Sequence, residues 1–384
     1  MAVERSELEL VWPPDLFRQE GQGLLDAGKD DESTLGWLLA EAFQGERGYQ
    51  LFIQTPAPWT YQFEDLVNGY KAPAQPQGPS PRAQLVAGLV RDTDQLPRYV
   101  PRQYYSQRRN PRPEVSLKPA QTTTEYAEVI AGLARTGYFG DAFGSACVDD
   151  PRDPAEQAQK QLSRLLATDS PMWPLAGDNE ELTGVEQNWS EDLFFDVIEA
   201  LHDLVARPRS RFWHDYGEEW DYQDFARAPG QAVYRWKVNE LLARSEIPLQ
   251  LADSGSDCGR LVRALGDARD DLVRRALQSP EPKVHDLVDH AVAQFRGRDA
   301  TFLAKREATK TLADVLEHRR RLLNDVLFKK DEDALFQIAN HFEIRHINER
   351  QKSDYDPAFL DWIFWWYLAT IELTDRLLDR QTGL

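Results

Sequence analysis

The chain of 384 residues is long enough for two domains, or for one large domain with an elaborated end, at the usual size of about 100–200 residues per domain. Its 41% hydrophobic content, with 11 Trp, 13 Tyr and 17 Phe, supports a sizeable core and excludes wholesale disorder. A net charge of −19 excludes nonspecific attachment of the whole surface to nucleic acid or to an anionic membrane, because the long-range field repels phosphate, although a local basic patch can override it.

Met1 to Leu10 alternates acidic and apolar residues and lacks the basic start and apolar run of a signal peptide. The first seventy residues then read as mixed, with a helix over Ser33–Phe43 and a strand over Tyr49–Gln54, where Tyr49, Leu51 and Ile53 alternate with polar positions. Prolines cluster from Lys71 to Pro81 and again from Pro97 to Pro119, the signature of a linker or long surface loops. A boundary is therefore expected near residue 118.

Beyond it the helix signals are regular. Thr122 with Glu125 forms a capping-box pattern, followed by Tyr126, Val129, Ile130 and Leu133 at helical spacing up to Gly137. Ser190, then Glu191 and Asp192, opens a helix with Phe194, Val197, Ile198 and Leu201 on one face, ending before Pro208. A third runs from near Pro229 to Arg244, and Ile247–Leu251 reads as a short strand or turn before a Gly255–Gly259 loop. Further helices are expected over Cys258–Leu277, Val284–Arg296, Thr301–Leu327, Glu332–Asn348 and Pro357–Arg380. The apolar run Phe359–Leu373 carries Asp361 and Glu372 and is shorter than the roughly 20 residues that span a bilayer, so it reads as a buried helix. The fold class is mainly α: residues 1–118 mixed and partly irregular, 119–280 a helical middle domain, 281–384 a C-terminal helical bundle. No fixed-period repeat is present.

Cys147 and Cys258 belong to no CxxC or Cys/His cluster, which argues against a disulfide framework or a structural zinc and fits a reducing cytoplasm. His285 and His290, near Asp286 and Asp289, lack further ligands at metal spacing and read as surface residues. Trp213-His214-Asp215 with Glu218 and Glu219 reads as a loop packed by its tryptophans. Arg319, Arg320, Arg321, Lys329 and Lys330 read as a solvated helix end favoured by the dipole. No GxGxxG, Walker-type or GxSxG element occurs, and neither a metal nor a cofactor is expected.

Two stretches carry candidate chemistry. Arg98, Arg102, Tyr104, Tyr105, Arg108 and Arg109 interleave cations with aromatics in a segment free of acids, a composition that suits single-stranded nucleic acid, or equally a basic loop docked on the protein's own acidic surface. In a helix, Gln337, His341, Arg345 and Asn348 share one face while Leu335, Ile338 and Phe342 lie toward the other. A His there could move a proton to or from a ribose hydroxyl, and Arg345 could stabilise a phosphorane, although any amphipathic helix shows such a polar stripe.

Gln337-Ile338-Ala339-Asn340, Ile344-Arg345-His346, Asn348, Asp354-Tyr355-Asp356, Trp362 and Tyr367 to Ile371 resemble the C-terminal helical module of bacterial abortive-infection proteins, which is similar to HEPN domains. The resemblance implies an antiphage protein whose C-terminal bundle cleaves RNA without metal, usually as a dimer, with His341 or His346 as proton-transfer group, Arg345 as phosphate clamp and Asn348 beside them. The family motif has an Arg four to six residues before its His, whereas here His346 directly follows Arg345. The alternative is a noncatalytic interaction protein of a defence system, with the aromatic helix Trp362 to Tyr367 as a dimer or partner interface. Residues Asp192 to Gly259 also resemble a recurrent part of bacterial proteins bearing this module, which implies shared architecture only.

Overall fold

Apolar side chains returning every three to four residues place most of the chain in helices, and the computed structural model is mainly helical, as expected. It describes residues 5–56, 78–101, 105, 108, 117–144, 153–175, 188–215, 218–264, 266–326, 329–341 and 356–382. These fall into two compact units, Met1–Glu246 and Ile247–Leu384. The expected boundaries near 118 and 280 both lie inside a unit.

In the N-terminal unit, α1 (Pro14–Asp26) starts on a proline, which lacks only an amide that a first turn leaves unbonded anyway. It buries Leu16, Phe17 and Leu24. After a π turn at Glu32–Gly36 comes α2 (Trp37–Ala42), within the expected helix. The expected strand over Tyr49–Gln54 is instead a helix, α3 (Arg47–Gln54). The decisive pair is Gly48 and Phe52, one helical turn apart and both buried, while Ile53 of the apparent alternation is exposed. Leu10 bridges Phe43 on one side and Arg98 on the other, its amide donating to the Pro97 carbonyl at 2.8 Å. Pro81, the end of the first proline-rich stretch, opens α4 (Pro81–Arg91), with the Ser80 hydroxyl accepting from the Ala83 amide at 3.1 Å.

Helix α5 (Pro119–Arg135) begins a turn before the expected Thr122 cap. The Gln121 side-chain oxygen accepts from the Lys118 amide, and Thr122 is buried with its hydroxyl donating to the Lys118 carbonyl. Short α6 (Gly140–Phe143) and α7 (Pro154–Leu166) follow. Helix α8 (Glu191–Leu204) matches expectation, the Ser190 hydroxyl accepting from the Leu193 amide at 3.2 Å. The tryptophan-rich loop is corrected to the end of a hairpin: β1 (Arg207–His214) pairs antiparallel with β2 (Glu219–Ala226), placing Trp213 opposite Trp220 at a centroid separation of 5.3 Å. Helix α9 (Arg227–Ala243) packs so closely that a Cβ on Gly230 would collide with the backbone of Ala206 and Arg207. Tyr234 on α9 meets the Tyr126 hydroxyl at 2.7 Å and donates to the Ile198 carbonyl, tying α5, α8 and α9 together.

In the C-terminal unit, β3 (Leu249–Leu251) pairs antiparallel with β4 (Leu261–Arg263). The expected helix from Cys258 is therefore corrected to α10 (Asp267–Ala276), because Gly259 and Gly266 take φ of 78° and 85° and interrupt it while Leu261 and Val262 are buried in the strand. Helices α11 (Pro282–Arg296), α12 (Phe302–His318), α13 (Arg320–Val326), α14 (Lys329–His341) and α15 (Pro357–Thr382) complete it. Val288, Val292, Leu312, Leu316, Ile363, Leu368 and Ile371 form a core in which the Phe295 ring lies flat on Phe364 at 3.7 Å and 8°.

The expected single helix over Thr301–Leu327 breaks at Arg319, and this residue corrects the reading of a solvated basic end. It is 6% exposed and donates to Asp375 at 2.6 Å, Thr374 at 2.6 Å and Glu281 at 2.8 Å. The backbone at Arg319, with φ −93° and ψ 12°, leaves the helical range and ends α12. Among the described residues no helix is long and apolar enough to cross a membrane.

Candidate functional site

Helix α15 starts at Pro357, with the Asp356 carboxylate accepting from the Ala358 amide at 2.8 Å. From there two stripes diverge. Leu360, Ile363, Phe364, Tyr367, Leu368 and Ile371 are buried, which fixes the helix rotation. The same rotation turns Trp362 outward, 51% exposed, with Trp366 one turn later. Their rings stack at 5.6 Å and 18°, and Trp366 is held in turn by Tyr367 at 6.0 Å. Trp365 stands edge-on to Phe295 and Phe364.

These rings border an open depression of about 620 Å³, to which Arg269 of α10 and Asp361 also contribute. The Arg269 guanidinium lies 5.2 Å from the Trp365 ring, and among the described residues its side chain makes no hydrogen bond or ion pair. Asp361 accepts from Lys305 of α12 at 2.7 Å, and that ammonium also sits over Phe295 at 4.9 Å. The arrangement offers a flat apolar surface with one open face, a guanidinium at its edge and a carboxylate already neutralised. It can stack a planar group and pair an anion.

The N-terminal unit concentrates charge differently. Arg207 is 0% exposed and donates to Glu41 through Nε and Nη2 at 2.9 and 2.6 Å and to Glu20 through Nη1 at 2.9 Å. Arg209 takes both oxygens of Glu20, and the Tyr138 hydroxyl donates to Glu41 at 2.8 Å. Burial pushes Glu41 above the usual carboxylate range, with Arg207 and Tyr138 acting the other way. Burial also opposes the Arg207 charge, but Glu41, Tyr138 and Glu20 outweigh it and raise its pKa. Every carboxylate oxygen here is matched by a donor, which makes the cluster an internal tie between α1, α2 and β1.

Of the expected nucleic-acid residues, Arg98 is exposed, with its guanidinium donating to the Trp12 carbonyl at 2.8 Å. Tyr105 and Arg108 are exposed. Arg102, Tyr104 and Arg109 lie outside the described residues, as do Arg345, His346 and Asn348. His341 closes α14, but its side chain is also outside them. His285 Nδ1 lies 2.8 Å from the Leu277 carbonyl, which only accepts, so that nitrogen carries the proton. Asp289 accepts from the Ser256 amide, and among the described residues no three His, Cys, Asp or Glu side chains are placed to hold a metal ion.

Arg269 and Lys305 are the site residues that sequence reasoning missed. Neither lies near the tryptophans in sequence, and only the packing of α10 and α12 on α15 assembles them. Comparison with family models, with curated proteins and with solved structures finds no match to this chain.

Proposed function

We propose that the C-terminal unit binds single-stranded RNA by stacking unpaired bases on the Trp362 and Trp366 face, with Arg269 pairing a phosphate. One observation carries this reading: a half-exposed tryptophan stacked on a second one at the edge of an open depression, beside an arginine that makes no hydrogen bond or ion pair among the described residues. Base–aromatic stacking contributes about 1–3 kcal/mol per base, enough to matter without base-specific hydrogen bonds. Charge supports the same surface. Residues 247–384 carry 21 Lys and Arg against 24 Asp and Glu, close to neutral, whereas residues 1–246 carry 24 against 40. Repulsion of a polyanion is thus concentrated in the other unit.

Fluorescence anisotropy with a labelled single-stranded oligoribonucleotide tests it. Trp362→Ala is expected to weaken binding about tenfold, the equivalent of about 1.4 kcal/mol, and Arg269→Glu to weaken it and flatten the salt dependence. Affinity unchanged by both substitutions would sink the proposal. Loss of a dimer in Trp362→Ala, with no RNA bound by either form, would instead favour an interface between copies or with a partner protein.

Antiphage action through RNA cleavage extends this reading to His341, Arg345, His346 and Asn348. Its test is separate: total RNA after induced expression of wild type beside His341→Ala, Arg345→Ala and His346→Ala. Cleavage by wild type alone supports the nuclease. Intact RNA, with and without phage infection, removes it and leaves the binding reading standing.

A further inference from the structure

The N-terminal unit holds a half-open pocket that RNA binding does not use. A cavity of about 350 Å³ opens between α5 and α9, with Val129, Leu133 and Val233 as apolar walls and Trp12 at one side. That size is near the lower end of small-molecule sites, which run from about 300 to 1,000 Å³. Several polar groups around it are already committed. The Tyr138 hydroxyl proton goes to Glu41, and the other Glu41 oxygen accepts from Arg207.

Two charged side chains on the lining are not committed. Among the described residues, neither Lys237 of α9 nor Glu128 of α5 makes a hydrogen bond or an ion pair; Lys237 rests only against the Trp236 ring, its ammonium 5.0 Å from the centroid. Burial lowers the Lys237 pKa, although the Glu240 and Glu41 charges nearby act the other way. Glu128, by contrast, is exposed. Lys237 and Glu128 therefore border the same small space, the further carboxylate on its lining, Glu41, being held by Arg207 and Tyr138.

We propose that this cavity binds a small α-amino acid with an apolar side chain. The ligand carboxylate pairs with Lys237, its ammonium pairs with Glu128, and its side chain packs on Val129, Leu133 and Val233. A ligand with only an anion would leave Glu128 facing it, and a ligand with only a cation would meet Lys237. A zwitterion satisfies both groups, and its side chain is removed from water against the apolar walls.

Gly132 supplies the cleanest probe. It also lines the cavity, and a Cβ added there would meet nothing closer than the Arg135 guanidinium at 4.0 Å. Gly132→Leu should therefore fold, with a better helix former in place of glycine, and fill the space. The experiment is isothermal titration of the full chain with each of the twenty L-amino acids, with N-acetyl-leucine and isoamylamine as ligands each lacking one charge. An apolar amino acid is expected to bind and both single-charge analogues to fail. Lys237→Met and Gly132→Leu should each weaken binding at least tenfold, and Glu128→Gln severalfold, with the wild-type circular dichroism spectrum retained by Gly132→Leu. Absence of heat with all twenty amino acids overturns the proposal. So does binding that persists undiminished in both Gly132→Leu and Lys237→Met.

Discussion

Arg207 in the N-terminal unit and Arg319 in the C-terminal unit are both buried, and their surroundings differ. Arg207 in the N-terminal unit is closed on every side by Glu20, Glu41 and the Trp12 ring, and its carboxylates have further donors in Arg209 and Tyr138. Arg319 in the C-terminal unit bonds Asp375 but also reaches half-exposed Glu281, and both its Nε and the second Asp375 oxygen lack hydrogen-bond partners. The aromatic side chains differ too. The N-terminal unit covers Arg211 with Trp37 and Trp220, each ring centroid 4.0 Å from the guanidinium, whereas in the C-terminal unit Arg269 lies 5.2 Å from the Trp365 ring and, among the described residues, has no ion pair. Exposed tryptophans occur in both units, Trp213 and Trp220 in one and Trp362 in the other; Trp362 borders an open depression together with Arg269.

The largest expected effect follows from the closed network. Arg207→Met removes the cation between Glu20 and Glu41, leaving Glu41 with the Tyr138 hydroxyl and Glu20 with Arg209, and should destabilise the N-terminal unit by about 3–5 kcal/mol. Urea unfolding checks this, and a loss under about 1 kcal/mol would erase the contrast between the units. Arg319→Met should cost less, about 2–3 kcal/mol, because Ser279 still donates to Asp375 and Glu281 can turn to water. If the two losses came out in reverse order, the more open network would be the more important one. Gly230→Ala, which drives a methyl into the β1 backbone, should cost about 1–3 kcal/mol without touching any charge.

The smallest effect is alkaline. Burial and the hydrogen bond to Glu32 push the Tyr49 hydroxyl up to about 12. Because the folded-state pKa lies above the ordinary value of 10.0, the stability this group contributes is complete below about pH 10 and is lost as pH rises toward 12. Tyr49→Phe should remove that loss, and absorbance titration at 295 nm should show one tyrosine fewer ionising late. A wild-type tyrosine spectrum that ionises entirely near pH 10 would contradict the Glu32 contact.

Helices with local signals were legible in the sequence. Ser190 before two acids and the apolar run of α15 both act within a few residues of where they are read. Local signals failed where partners are distant. Six alternating residues at Tyr49–Gln54 suit a strand, but Gly48 packing against Phe43 and Leu39 requires a helix. Polar, aromatic β1 and β2 give no alternating apolar pattern, since their pairing rests on ladder bonds and cross-strand rings. Arg319 reads as solvated until Asp375, brought from the far end of α15, appears beside it. At the candidate site the tryptophan helix was visible as an interaction surface, whereas Arg269 required the folded α10 to be found.

The central claim is tested most directly by photocrosslinking the full chain to single-stranded RNA containing 5-bromouridine, then mapping the modified peptides by mass spectrometry. The account predicts adducts on the α15 peptide at Trp362 or Trp366, reduced by Trp362→Ala. Adducts confined to the Arg98 to Arg112 stretch or to the β1–β2 hairpin, or no adduct above a duplex control, would contradict it.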